Sequence, residues 1–125
     1  FFNNYLVKSK KSYTPQNIEE LKNDYDLFIS GSDQVWSPRC VGFDPAYFLT
    51  FADDKQKYSY AASFAVPTLP DEFIDEYKKR LNGFQKFSVR EPIGEKLVKE
   101  LTGRTAETHL DPTLLISADE WKNSG

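Results

Sequence analysis

The stretch Asp26-Leu27-Phe28-Ile29-Ser30-Gly31-Ser32-Asp33-Gln34-Val35-Trp36 decides how this chain is read. Its apolar run, Leu27 to Ile29, stops at Ser30-Gly31 and is followed at once by small and polar residues. That pattern marks a buried parallel strand opening into a loop at its carboxyl end, where open α/β sheets place ligands. Gly31 permits a tight turn or a close backbone approach, and Ser32, Asp33 and Gln34 bring a hydroxyl, a carboxylate and an amide. The alternative for Ser32 or Asp33 is a plain helix cap.

Working outward, Thr14-Pro15-Gln16-Asn17 predicts a helix over 16–23, with Thr14 as cap and Pro15 in the first turn. It feeds a first strand over 26–30. Residues 37–52 form a long loop carrying Phe43, Tyr47, Phe48 and Phe51. A loop of that length either binds something or packs by its own side chains. Residues 57–64 read as a second strand whose small residues allow a close approach. Phe73, Ile74, Tyr77 and Leu81 predict a helix over 71–81 that ends at Gly83. A third strand over 86–90 precedes a helix over 93–101 with Ile93, Leu97, Val98 and Leu101 on one face. Gly103 stops that helix, and a fourth strand over 106–110 closes at Asp111-Pro112. This alternation predicts right-handed crossovers and a parallel sheet, an α/β fold of Rossmann-like type with flanking helices. Polar residues then end every strand, so Ser32 and Asp33, Ser63, Arg90 and Glu91, and Asp111 should share one sheet edge.

Composition narrows the function classes. The 125 residues make one domain, and 10 Phe, 7 Tyr and 2 Trp supply large buried areas to a chain only 39% hydrophobic. A net charge of −3 leaves no electrostatic footprint for nucleic acid. No apolar run approaches the roughly 18 residues that span a bilayer, and no signal peptide is visible. The one cysteine, Cys40, has no internal disulfide partner and no neighbouring histidine that argues for a nucleophile. No metal-ligand spacing occurs. A cytoplasmic location is the expectation. The chain has no methionine, opens on Phe1-Phe2 and closes on Asn123-Ser124-Gly125, and it is read as an excerpt of a longer protein.

In this order, four groups of residues resemble the polysaccharide pyruvyl transferase family. They are 26–36 with Tyr47-Phe48-Leu49, then Tyr60-Ala61-Ala62-Ser63-Phe64, then Phe87-Ser88-Val89-Arg90-Glu91, and finally Leu110-Asp111-Pro112-Thr113-Leu114-Leu115 followed by Trp121. Gly-Ser-Asp-Gln-x-Trp is the specific piece; Ser-Val-Arg-Glu or Asp-Pro-Thr alone is weak. The resemblance implies transfer of the enolpyruvyl-derived group of phosphoenolpyruvate onto two hydroxyls of a sugar, giving a pyruvate ketal on cell-surface polysaccharide or its precursor. It implies a GT-B-like enzyme of two Rossmann-like halves with the reaction between them. Residues 1–125 then form one partial domain, most of the amino-terminal half, with the chain leaving it near 111–117. The partners implied are phosphoenolpyruvate, a sugar or glycan acceptor and the carboxyl-terminal half of the same protein. No cofactor is implied, since phosphoenolpyruvate is the donor substrate, and the 125 residues alone are expected to be inactive. The family's catalytic histidine belongs to the second half; His109 does not match it. Two departures are visible: Ala65 stands where glycine is common, and Ser37 where asparagine is usual.

Within that resemblance, Arg90 is the expected cation for the donor, because its planar fork takes a carboxylate or phosphate in bidentate fashion. An ion pair with Glu91 or Asp111 is the plainer alternative. The helix beginning at Pro92 would add its amino-terminal dipole. Asp33 is expected to orient an acceptor hydroxyl or act as base. Gly31, Ser32, Gln34, Ser63 and Glu91 are expected around the substrate, Glu91 chiefly as support for Arg90. Trp36 is read as a sugar platform or, more plainly, as a core anchor. Two other classes compete. A nucleotide-sugar glycosyltransferase half would share the layout, although no Gly-x-Gly-x-x-Gly occurs. A non-catalytic carbohydrate-binding domain would rest on the aromatic loop over 37–52.

Overall fold

A computed structural model of the chain describes residues 7–39 and 43–123. Cys40 and Gly42, with Phe1, Phe2 and Tyr5, lie outside the described residues. A 3-10 turn, Ile18–Glu20, runs into the short helix α1, Leu21–Asp24, and the strand β1, Phe28–Ser30. Two 3-10 turns, Pro45–Phe48 and Asp54–Gln56, lead to β2, Lys57–Ser59. The turn Asp71–Phe73 opens helix α2, Ile74–Leu81, which is followed by β3, Ser88–Val89. Helix α3, Pro92–Thr102, precedes β4, Glu107–Thr108. A last 3-10 turn, Pro112–Leu114, precedes α4, Ala118–Asn123.

The strands are parallel, as the alternation predicts. β1 pairs with β2 (Ile29 opposite Tyr58) and β3 with β4 (Ser88 opposite Glu107). Isolated bridges Tyr58–Lys86 and Ala62–Val89 join the two pairs, so the order is β1-β2-β3-β4. All four regular strands are shorter than predicted; for β2 and β3 the reason is that between those bridges the second strand advances four residues against three. This is a β-bulge. It falls at Tyr60-Ala61, where Ala61 has φ of 46°. Two serine hydroxyls replace the interrupted ladder. Ala61 N–H donates to Ser88 Oγ (2.9 Å), and Ser88 N–H donates to Ser59 Oγ (2.9 Å). The Ser59 hydroxyl in turn donates to Ser88 O (3.0 Å). Backbone groups that would be orphaned in a buried position are thereby satisfied.

Both principal helices follow from their sequence signals. α3 starts with Pro92 at its first position and ends at Gly103, whose φ of 73° is the left-handed stop that glycine favours. Its buried positions are Gly94, Leu97, Val98 and Leu101. Ile93, expected on the buried face, is 36% exposed; Gly94 takes the inner position, where an added Cβ would come within 2.9 Å of Val89 Cβ. The predicted helix over 16–23 is replaced by turns and the single turn of α1. Thr14 does not cap it: its N–H donates to Asn17 Oδ1 (2.6 Å) in a local turn. Gln56 ties this segment down, its amide donating to Lys22 O (3.0 Å) and Tyr25 O (2.9 Å).

The core lies on one face of the sheet. Trp36 and Phe48 from the 31–56 crossover, Tyr77 and Leu81 from α2, and Leu97 and Val98 from α3 pack with Val89 in one cluster. Strands laid down in sequence order with crossovers of one hand put every crossover on the same face. The opposite face, carrying Leu27 (51% exposed), Ile29 (58%), Tyr58 and Tyr60, is uncovered among the described residues. The expectation of helices flanking the sheet therefore holds here for one side only.

Candidate active site

Beyond the regular ladders the strands pair once more, and this second pairing builds the site. Asp33 bridges Ala62, and Ala62 bridges Val89. Ser63 N–H donates to Asp33 O (2.9 Å), Arg90 N–H to Ala62 O (3.1 Å) and His109 N–H to Val89 O (2.9 Å). The segments carrying Ser32 and Asp33, Ser63, Arg90 and Glu91, and Asp111 thus line one sheet edge, as their strand-end positions predict. Gly31 makes this possible. Its φ is +127°, and a Cβ there would stand 2.0 Å from Tyr60 O, so the chain crosses β2 only without a side chain.

Arg90 is the hub. Its Nε donates to Glu91 Oε1 (2.9 Å), and its Nη1 donates to Asp33 Oδ1 (3.1 Å) and Asp111 Oδ2 (3.4 Å). Hydrogen bonding to Glu91, with Asp33 and Asp111 adding to it, raises the guanidinium pKa above its ordinary value. The three carboxylates are held very differently. Asp111 also accepts from Thr113 N–H (3.0 Å) and Thr113 Oγ1 (2.7 Å), its side chain is 18% exposed, and Ser32 hydrogen-bonds to it. Thr113 first, then Ser32 and Arg90, hold its pKa down to about 2. Glu91 accepts from the Ser63 hydroxyl (3.0 Å) and stands at the start of α3. Asp33 is 78% exposed, and among the described residues its carboxylate meets only Arg90. No helix follows Asp33 directly, so the cap reading of that residue does not apply. Its φ of 69° is one that aspartate tolerates better than most residues.

Trp36 belongs elsewhere. It is 0% exposed, its indole packed against Phe64 (5.3 Å between ring centroids), Phe84 (5.5 Å) and Phe48 (6.2 Å). Its Nε1 donates to Tyr47 O (3.2 Å), and its own carbonyl accepts from the Tyr77 hydroxyl (2.6 Å). The sugar-platform reading is therefore corrected: an indole enclosed on both faces has none to offer a sugar. The core-anchor reading describes its place. Gln34 is exposed in the same loop, where its carbonyl accepts from Ser37 N–H (3.0 Å). The aromatic loop over 37–52 packs inward by Phe48, and Arg80 lies over the Phe43 ring (4.3 Å) while donating to Phe43 O (2.7 Å). Tyr47 of the same loop is 40% exposed. Asp111 both caps the turn Pro112–Leu114 and meets Arg90 at the strand edge.

Among the described residues, no group of histidine, cysteine, aspartate and glutamate side chains could hold a metal ion. No helix among them is long and apolar enough to cross a membrane.

A family model described as polysaccharide pyruvyl transferase matches residues 1–124. The chain belongs to the polysaccharide pyruvyl transferase family. No curated protein and no solved structure matches it. Family membership makes the protein a transferase with a sugar acceptor. Most of the segments that resemble the polysaccharide pyruvyl transferases end the four strands; Tyr47-Phe48-Leu49 and Trp121 lie at a 3-10 turn and in α4. The two departures from the family pattern have distinct settings. Ala65 has φ of 56°, a left-handed conformation costing an L-residue about 1–2 kcal/mol, which explains why glycine suits this turn. Ser37 is buried, and its Oγ accepts from Arg39 N–H (3.2 Å).

Proposed function

We propose that this protein transfers a pyruvyl group from phosphoenolpyruvate to two hydroxyls of a sugar unit, forming a pyruvate ketal on a cell-surface polysaccharide or its precursor. The carrying observation is the strand-end cluster in which Arg90 gathers Asp33, Glu91 and Asp111. Balanced, the reaction adds one sugar hydroxyl to the enol carbon while the methylene gains a proton. The second hydroxyl then replaces the phosphate, which departs as inorganic phosphate. Arg90 is assigned to the donor's phosphate or carboxylate, through the fork that a lysine cannot reproduce. Asp33 is assigned to the acceptor hydroxyl, as the carboxylate most open to solvent. Ser32 and Ser63 position Asp111 and Glu91, and Gly31 and Gln34 shape the loop. The donor is a substrate, and no cofactor enters the scheme.

The reaction is further proposed to lie between this domain and a second Rossmann-like half in a GT-B-like arrangement, in the cytoplasm. Two observations support a larger assembly. The site is an open edge that needs a second wall to exclude water, and among the described residues one face of the parallel sheet is uncovered, although such sheets are covered on both faces. The experiment is incubation of the intact protein with phosphoenolpyruvate and sugar acceptors, followed by phosphate release and by NMR detection of the ketal methyl group. Turnover of nucleotide sugars, with none of phosphoenolpyruvate, would replace this reading with a glycosyltransferase.

A further inference from the structure

The geometry points to a role for Asp33 that precedes any contact with the acceptor. One guanidinium faces three carboxylates, so the cluster as it stands carries excess negative charge and opposes a polyanionic donor. An incoming phosphate or carboxylate needs two adjacent guanidinium N–H groups for bidentate contact. Glu91 takes Nε, whereas Asp33 and Asp111 share Nη1. The edge formed by Nη1 and Nη2 therefore opens when one aspartate leaves Nη1. The two aspartates are unequal. Asp111 is secured by Thr113 N–H, the Thr113 hydroxyl and Ser32 and is largely enclosed, while Asp33, among the described residues, meets Arg90 alone and is 78% exposed.

We propose that Asp33 is an internal stand-in for the donor: it occupies Arg90 until the phosphate or carboxylate of phosphoenolpyruvate displaces it, while Glu91 and Asp111 stay in place. The exchange keeps Arg90 aligned and paired while the site is empty. It also releases the Asp33 carboxylate at the site edge only once donor is bound, so that the group assigned to the acceptor becomes free in the right order. This inference rests on the assignment of Arg90 to the donor.

The test is calorimetric titration of the intact protein with phosphoenolpyruvate alone, comparing wild type with Asp33→Asn, Asp33→Gly, Glu91→Gln and Arg90→Lys. Both Asp33 replacements suit a left-handed backbone, so the fold is kept. Both are expected to bind the donor about two- to tenfold more tightly, the scale set by removing one exposed ion pair and one repelling charge. Glu91→Gln, which removes the same charge but leaves Asp33 on Nη1, is expected to tighten binding less than either Asp33 variant, and Arg90→Lys to weaken it. If Arg90→Lys weakens binding but the Asp33 variants do not both tighten it, the exchange is wrong and the donor assignment stands. Equal tightening by Glu91→Gln reduces the effect to net charge and also overturns the exchange. Donor affinity indifferent to Arg90→Lys sinks the donor assignment and the exchange together.

Discussion

Replacing Arg90 by lysine keeps the charge and removes the planar fork that now meets Glu91, Asp33 and Asp111. Losing one charge-assisted hydrogen bond to a bound anion is worth about 1.5–3 kcal/mol, so KM for phosphoenolpyruvate should rise on the order of ten- to a hundredfold. Steady-state kinetics with varied donor check this; unchanged donor kinetics would make Arg90 a purely structural link. Gly31 raises a separate question at the same scale. A methyl group there would stand 2.0 Å from Tyr60 O on a backbone with φ of +127°. Gly31→Ala should therefore destabilise the fold by on the order of 3 kcal/mol or more, read as a lower urea midpoint. A midpoint within error of wild type would show that this loop is free to rearrange.

The decisive element is the bulge between β2 and β3. Its extra residue presents a buried N–H at Ala61, and Ser88 Oγ is the acceptor that meets it. Ser88→Ala should leave that donor unsatisfied and cost about 1–3 kcal/mol, measured by chemical denaturation. The loss should exceed that of Ser9→Ala, a serine on the exposed surface. Equal effects would mean that water or a shifted strand supplies the missing acceptor. The bulge also shapes the proposed site, because pairing resumes after it at Ala62, and that second pairing seats Asp33 and Arg90 side by side. Periodicity made α2 and α3 legible in the sequence, since Tyr77 and Leu81, and Leu97, Val98 and Leu101, repeat at helical spacing. The bulge was not legible, because an extra residue in a strand of small residues leaves no periodic trace.

For the molecule as a whole, acid sensitivity follows from Asp111. Its folded pKa of about 2 lies below the ordinary 3.8, so the folded state resists its protonation. The stability it contributes is complete above about pH 4 and is lost as the pH falls through about 2. Glu76 beside Arg80 and Glu120 beside Ser117 are shifted in the same direction and add to the same acid loss. Asp111→Asn should be less stable than wild type at neutral pH, and the difference should shrink between pH 4 and pH 2. Denaturant midpoints at several pH values check this, and a constant difference across that window would refute the assignment.

The sequence by itself determined the parallel α/β order, both principal helices and the fact that the polar residues of four segments end four strands. These features depend on local periodicity and on the placement of glycine and proline, which act over a few residues. It also exposed the family through the same segments. Only the tertiary structure decided what each polar or aromatic group meets. Trp36 lies among Phe48, Phe64 and Phe84, and Asp111 combines a local turn with a contact to Arg90 twenty-one residues away. Ser59 and Ser88 stand twenty-nine residues apart in the chain and complete one interrupted ladder. Such partnerships arise from burial and register, which bring distant residues together, and no pattern in neighbouring residues records them.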